Sequence, residues 1–359
     1  MNKLDNLELL TEISNAFGPS GFEDDVVEVA RKYAPPNALL AEDSLRNLYI
    51  RRPQDQGSEK PVVMLDAHSD EVGFMVQAVR PNGLLQMVPL GGWVSYTVPA
   101  HKVLVRNRDG EYILGVIATT PPHYLSEAEK KASPDISQMS IDVGASSAEE
   151  VREVFRIEPG APVAPDTRLI YNEKNGVLMG KAFDCRVGCA AVLAVMNQLA
   201  EEELAVVPVG TLASQEEVGM RGAVVTANTV KPAIAIAFEG CPADDNFAPD
   251  WAAQTVLKKG PMLRHVDMGM ITNPRYQRFA LDLAAEFGIP AQSAVRSGGK
   301  TNGASIHLSN QGVPTIVIGQ PVRYIHTHYG YAALEDFENS IKLAVAVIRR
   351  MDEKIIAGF

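Results

Sequence analysis

Four short runs of this chain are apolar at almost every position: PVVMLDAH at 61–68, VVPVGTLAS at 206–214, PAIAIAF at 232–238 and PTIVIG at 314–319. A strand with one face in water alternates apolar and polar residues, so runs like these belong in the middle of a sheet covered on both faces. Helical patterns lie between and after them: CAAVLAVMNQLAEE from Cys189, RYQRFALDLAAEF from Arg275, and a last helix from Leu334 to about Met351. Strands alternating with helices predict a layered α/β domain.

The N-terminal segment adds two helices. Leu4, Leu7, Leu10, Ile13 and Phe17 recur at helical spacing until Gly18-Pro19 stops the pattern. Ser20 followed by Glu23 predicts a capping box for a second helix through Val26, Val27 and Ala30. After His68 the texture changes. GFMVQAVRPNGLLQMVPLGG and HKVLVRNRDGEYILGVIA read as hairpins turning at Pro81-Asn82-Gly83 and Asp109-Gly110. Up to about Ile170 the strands are short, Gly and Pro frequent, and one helix is expected near Ser147–Phe155. The expected organisation is therefore one α/β domain in two parts, 1–70 and 172–359, interrupted by a β-rich insertion at 71–171. Such an insert is expected to shape access or make subunit contacts, with only His68 and Asp70 at its edge belonging to a site.

Net charge narrows the function classes. At −11, with 21% charged residues, the chain lacks the basic surface that displaces phosphate counterions, so neither nucleic acid nor an anionic membrane is an expected partner. No apolar run approaches the ~20 residues of a membrane span. The opening MNKLDNLELL carries acids where a leader peptide would be basic and then apolar. Three cysteines do not make a disulfide framework, and a cytoplasmic setting is expected.

The chemistry-bearing residues cluster at strand ends, where α/β sheets bind ligands. His68 closes the first apolar run, and Asp70 could hold its second ring nitrogen. A His–Asp pair that merely caps a strand is the plain alternative. Asp184, in KAFDCRVGCAAVL, stands between a strand and a helix; its carboxylate could bridge two cations or simply cap the helix. Glu216-Glu217 follows the second run. Adjacent acids there repel unless a cation lies beside them, and then one could bind it while the other stays free as a base. A solvated acidic loop is the alternative. Glu239 follows the third run, and His326 and His328 follow the fourth, one of them a possible bystander. Taken together, His68, Asp184, one acid of the Glu216-Glu217 pair, Glu239 and one of His326 and His328 make two sets around one shared carboxylate. Mixed nitrogen and oxygen donors suit Zn²⁺ or Co²⁺, with Mn²⁺ possible.

Beyond these five positions, a longer series of segments resembles the tetrahedral, or TET, aminopeptidases, which include glutamyl aminopeptidase and FrvX-type proteins. The series spans nearly the whole chain: GPSGFE, DAHSDEVGFMV, GGW, PPH, AFDCRVG, SQEEVGMRGA and VPTIVIGQPVRYIHTH. The resemblance implies a zinc-exopeptidase-like α/β/α layered domain with a PDZ-like or barrel insert used for dimerisation. It implies a two-metal aminopeptidase acting on peptides, and a homo-oligomer of twelve subunits built from dimers. Carried over, the two metals would be bound by His68, Asp184, Glu217, Glu239 and His326, with Glu216 as general base and Asp70 as the partner of His68. Three departures stand out: Glu239 where the family more often has Asp, Cys185 where it usually has Asp or Asn, and SGGKTNGASIHL, with Lys300 and Asn302 at altered positions. Cys185 reads as a small buried residue, with a thiolate ligand as the alternative. Lys300 could favour acidic substrate side chains or simply be solvated. Another metal-dependent amidohydrolase, such as a deacylase or carboxypeptidase, and a non-catalytic metal-stabilised scaffold are the rival functions.

Overall fold

The computed structural model describes residues 3–132 and 135–359; the first two residues of MNKLDNLELL lie outside them. An eight-stranded sheet runs through the centre of the α/β part. Its middle is four mutually parallel strands in the spatial order Val207–Ala213, Val62–His68, Ile234–Pro242 and Thr315–Val322. These are the four apolar runs. Leu39–Glu42 and Leu48–Arg51 extend one edge, and Met262–Val266 with Gln292–Val295 the other.

The reason the runs are apolar throughout is visible in Val62–His68. Val63, Leu65 and Ala67 face the main core, which the helices Lys3–Asn15, Phe183–Gln198 and Leu334–Arg350 complete. Met64 faces the opposite side and packs with Ala223, Ala227 and Val230 of the Arg221–Val230 helix. With both faces covered, no position can be polar without a buried partner. Trimming fully buried Leu65 to Ala would cost about 2–5 kcal/mol, the lost transfer energy plus the cavity left behind.

Between Val62–His68 and Phe183–Gln198 the chain leaves the sheet. Gly73–Val79, Leu85–Leu90, Lys102–Arg106, Tyr112–Ala118, Ser140–Asp142 and Pro162–Pro165 close into a six-stranded barrel. Phe74, Val76, Leu85, Met87, Val103, Val105, Ile117 and Val163 fill its interior. Closure leaves no open sheet edge, which suits an excursion of short strands. Both predicted hairpins form, and the short helix Ala148–Glu153 is capped by the Ser147 side chain. The barrel is the β-rich insert in its barrel form.

The predicted capping box does not form. The second helix starts at Asp24, and Glu23 at its N-cap makes no side-chain cap. Ser20 Oγ instead donates to Asp70 Oδ2 at 2.6 Å, and Glu23 accepts from the Gln215 and Gly21 amides. Both side chains are drawn toward the sheet's carboxyl edge. No helix among the described residues is long and apolar enough to cross a membrane.

Candidate metal centre

The carboxyl ends of the four parallel strands deliver the site. His68 is the last residue of its strand, Glu216 and Glu217 follow Val207–Ala213, and His326 follows Thr315–Val322. Glu239 lies inside its strand rather than after it, because pairing with Thr315–Val322 continues to Pro242. Asp184 is brought in from the other direction. A small three-stranded sheet pairs Val177–Gly180 with Gly330–Ala333, so the segment leading to Asp184 is stitched to the one leaving His326.

Asp184 does not cap a helix. The N-cap is Ala182, and Asp184 itself is non-helical at φ −86°, ψ 107°. The room for it comes from Gly240: a Cβ there would lie 2.7 Å from Asp184 Cα and 2.8 Å from the Phe183 carbonyl. His326, Gln215, Met220 and Tyr324 also hold left-handed backbone. Such conformations cost about 1–3 kcal/mol each and collect where a site dictates side-chain direction.

The Asp184 carboxylate lies between two imidazoles: Oδ1 is 2.9 Å from His68 Nε2, and Oδ2 is 3.1 Å from His326 Nε2. Glu239 Oε1 lies 3.3 Å from His68 Nε2, and Glu217 Oε2 lies 3.5 Å from His326 Nε2. Two donor groups result, one of His68, Asp184 and Glu239 with Cys185 in reach, the other of Asp184, Glu217 and His326. Within each, the donor atoms lie within 4.8 Å of one another. All five sequence-predicted ligand positions converge, and Asp184 is common to both groups.

Glu216 stands beside both groups and in neither, its Oε2 4.0 Å from His68 Nε2. Asp70 does more than the expected pairing with His68, whose Nδ1 lies 3.3 Å from its Oδ1. It also accepts the Glu216 amide at 2.9 Å, the Glu217 amide at 3.1 Å and the Ser20 hydroxyl. One buried carboxylate thus fixes the imidazole and the backbone of the acidic pair. That role of Ser20 and Asp70, and the supporting contacts of Glu23, have no sequence pattern apart from the proximity of GPSGFE to a turn.

The charges explain what the arrangement is suited to hold. Burial, and then the nearby Asp184 charge, push the Glu217 and Glu239 carboxyls well above the usual carboxylate range. Burial raises Glu216 to about 7. Burial works to raise Asp184 as well, but the His326 and His68 rings bonded to it bring it below the ordinary range. The same contacts lift His68 well above its ordinary value against the effect of burial. Glu217 Oε1 is buried without a hydrogen-bond partner. An acid cluster with an orphaned inward oxygen and flanking imidazoles fits divalent cations, which would neutralise it and satisfy that oxygen.

Cys185 is a buried thiol donating to the Phe238 carbonyl at 3.3 Å, and burial, then Glu239, push it well above its ordinary value. That supports the small buried reading over a thiolate. His328 is not with His326. It is 1% exposed, and burial, then His101, hold it down at about 3. It stacks on His101 and leans on Trp93.

The insert reaches further into the site than expected. Its loop Gly91-Gly92-Trp93 crosses the second donor group. A Cβ on Gly91 would lie 3.1 Å from Glu217 Cβ, and one on Gly92 3.5 Å from the His326 ring, while the Val94 amide donates to the His326 carbonyl. The expectation was that only His68 and Asp70, at the insert's edge, belong to the site; among the described residues none of the insert joins either donor group, but its Gly91–Trp93 loop packs against Glu217 and His326 and walls the candidate site.

A cleft opens from the acids toward Arg264, Arg296 and Lys300. Arg264 is tied to Asp267 and Cys241, and Arg296 to Asp244. Lys300 is exposed on the rim. Asn302 faces away from the cleft and donates to buried Asp66 at 2.7 Å, anchoring this wall to the central strand.

Comparison with known proteins follows the same lines. A family model described as M42 glutamyl aminopeptidase matches residues 47–343. The glutamyl aminopeptidase of Lactococcus lactis subsp. cremoris is 33% identical over 359 residues, covering 99% of both chains. A TET aminopeptidase from a marine sediment Thaumarchaeota archaeon superposes with a TM-score of 0.94 at 35% identity, covering 99% of each chain. The TET1 peptidase of Pyrococcus horikoshii, described as assembling into a tetrahedron or a large octahedral shell, gives 0.84 at 25% identity, over 98% of this chain and 100% of that one.

Proposed function

This chain belongs to the M42 glutamyl aminopeptidase family of peptide hydrolases, and we propose that it is a two-metal aminopeptidase releasing N-terminal residues from peptides. The observation that carries this reading is the shared carboxylate: Asp184 faces a His and a Glu on each side, with Glu216 beside both groups and in neither. In this reading His68 and Glu239 hold one ion, Glu217 and His326 the other, and Asp184 both. Nitrogen and oxygen donors suit Zn²⁺ or Co²⁺, with Mn²⁺ possible. Bound divalent cations would polarise the scissile carbonyl and acidify the attacking water. Glu216 takes the proton of that water and passes it to the leaving amine. Asp70 keeps His68 in one orientation and the Glu216 and Glu217 amides in place.

The cleft wall of Arg264, Arg296 and Lys300 supports an acidic N-terminal side chain, with Lys300 the cation not already paired with an acid. The glutamyl activity in the name of the Lactococcus relative agrees in sign. We read residues 1–70 and 172–359 as the catalytic domain and 71–171 as an insert that assembles subunits as well as walling the site. We read the assembly as a dodecamer built from dimers; a large homo-oligomer is supported by the tetrahedron or large octahedral shell described for the Pyrococcus peptidase. Three free, buried cysteines support a cytoplasmic setting.

The test is a panel of aminoacyl-p-nitroanilides and matched N-acetylated peptides, assayed metal-free and with Zn²⁺, Co²⁺ or Mn²⁺ restored. Cleavage that needs both a free amine and metal, and is fastest for Glu, is the expected result. Equal cleavage of acetylated peptides would favour the deacylase or carboxypeptidase reading. A metal-loaded protein inert on the whole panel would favour the scaffold.

A further inference from the structure

A second cavity of about 530 Å³ lies beside the candidate site, between the barrel and the sheet. It shares Pro242 and Ile325 with the acid-and-cation cleft, and Ile325 immediately precedes His326. Its character is opposite to that of the cleft. His101, Phe247, Tyr324, His328 and Tyr329 give it a wall of rings, and Val94 adds an apolar patch. None of the described residues lining it is an acid, a lysine or an arginine.

The rings form a connected set. His101 stacks on His328 at 4.2 Å, Tyr329 meets the edge of His101 at 5.3 Å, and Phe247 meets Tyr324 at 6.5 Å. Aromatic pairs prefer offset and edge-on contacts like these, and a further ring in the cavity could meet the wall in the same way. His328 is 1% exposed, and neither of its ring nitrogens has a hydrogen-bond partner. Both nitrogens are closed off from the cavity, so His328 backs the ring wall through its stack on His101 and offers an occupant no hydrogen bond.

From this wall and its continuity with the site we propose that the cavity is the subsite for the second residue of the substrate, the one released at the new N-terminus, and that it takes an apolar and best an aromatic side chain. The proposal rests on the aminopeptidase reading. If the cationic cleft receives the N-terminal side chain, the leaving residue must pass to the other flank of the cluster, and Ile325 separates the two flanks. Preferred substrates would then begin with an acid followed by a ring.

Three tripeptides decide the matter: Glu-Phe-Ala, Glu-Ala-Ala and Phe-Glu-Ala. Burying a phenyl group in an apolar pocket should raise kcat/KM for Glu-Phe-Ala over Glu-Ala-Ala by roughly 10–100-fold. Two wall variants check the location, Thr97→Trp to fill the cavity and His101→Ala to remove one ring. Both should erase the preference for Phe, read as the ratio of kcat/KM for Glu-Phe-Ala to that for Glu-Ala-Ala falling toward one. Equal rates for the two Glu peptides overturn the proposal, as does an equal slowing of both in the variants. Fastest cleavage of Phe-Glu-Ala overturns it too, by giving the cavity to the N-terminal residue. Sedimentation of Thr97→Trp is run in parallel: a changed assembly with unchanged selectivity means that a second copy of the chain covers the cavity, and overturns it. No cleavage of any free-amine peptide would instead sink the aminopeptidase reading itself.

Discussion

Neighbouring acids of equal charge should behave in opposite ways when each is neutralised. Glu216 Oε2 lies 4.0 Å from His68 Nε2 and in neither donor group. Glu217 belongs to the second group, with one oxygen 3.5 Å from His326 and the other buried and unpaired. In Glu216→Gln the five proposed ligands survive, so two ions per subunit should stay bound. Loss of a general base costs about 10²–10⁴-fold in rate. The loss should fall on kcat, with KM nearly unchanged, because the contacts that hold the substrate remain. Glu217→Gln leaves the proposed base intact but replaces a charged donor by a neutral amide in a buried site. Changes merely adjacent to metal ligands cost about 10–100-fold in metal affinity, so this one should cost at least that at one site. Excess metal should restore part of its activity. Elemental analysis beside kinetics on both variants is the assay. Metal loss in Glu216→Gln with two ions retained in Glu217→Gln would swap the roles, and unchanged hydrolysis in both would refute the site.

Three further perturbations test its supports. Asp70→Asn sets an amide against two backbone amides and the Ser20 hydroxyl, and should weaken metal binding about 10–100-fold in a chelator competition. Gly240→Ala forces a methyl onto the Asp184 backbone and should destabilise the fold by about 1–3 kcal/mol in denaturant unfolding, with metal affinity reduced. Metal-free protein should lose stability as pH rises: Glu216 and Glu23, raised by burial from 4.5 to about 7, hold protons in the folded state that the unfolded chain has released. Their contribution is full below about 4.5 and is lost as pH climbs through about 7, so melting temperatures should fall across that window and recover with metal.

Much of the site was legible because strand ends in a doubly covered sheet are few, and each apolar run delivered its candidate. His68, the Glu216-Glu217 pair, Glu239 and the His326/His328 pair could be found that way, and Asp184 by its position between strand and helix; the family resemblance chose within each pair. What the sequence pattern missed depends on contacts between distant segments. Ser20 and Glu23 have the spacing of a capping box, yet Asp70 and the Gln215 amide compete better for their side chains. The Gly91–Trp93 loop looks like the end of a hairpin, and only barrel packing reveals that its missing side chains let it lie against Glu217 and His326. His328 shares a motif with His326, but the turn between them sends its ring among His101 and Trp93 instead.

The central claim is that five residues hold two ions around one shared carboxylate. Anomalous diffraction from crystals of the zinc-loaded protein tests it directly. Two peaks per subunit are expected, one among His68, Asp184 and Glu239 and the other among Asp184, Glu217 and His326. A single peak, a peak bonded to Cys185, or zinc bound away from Asp184 would contradict it.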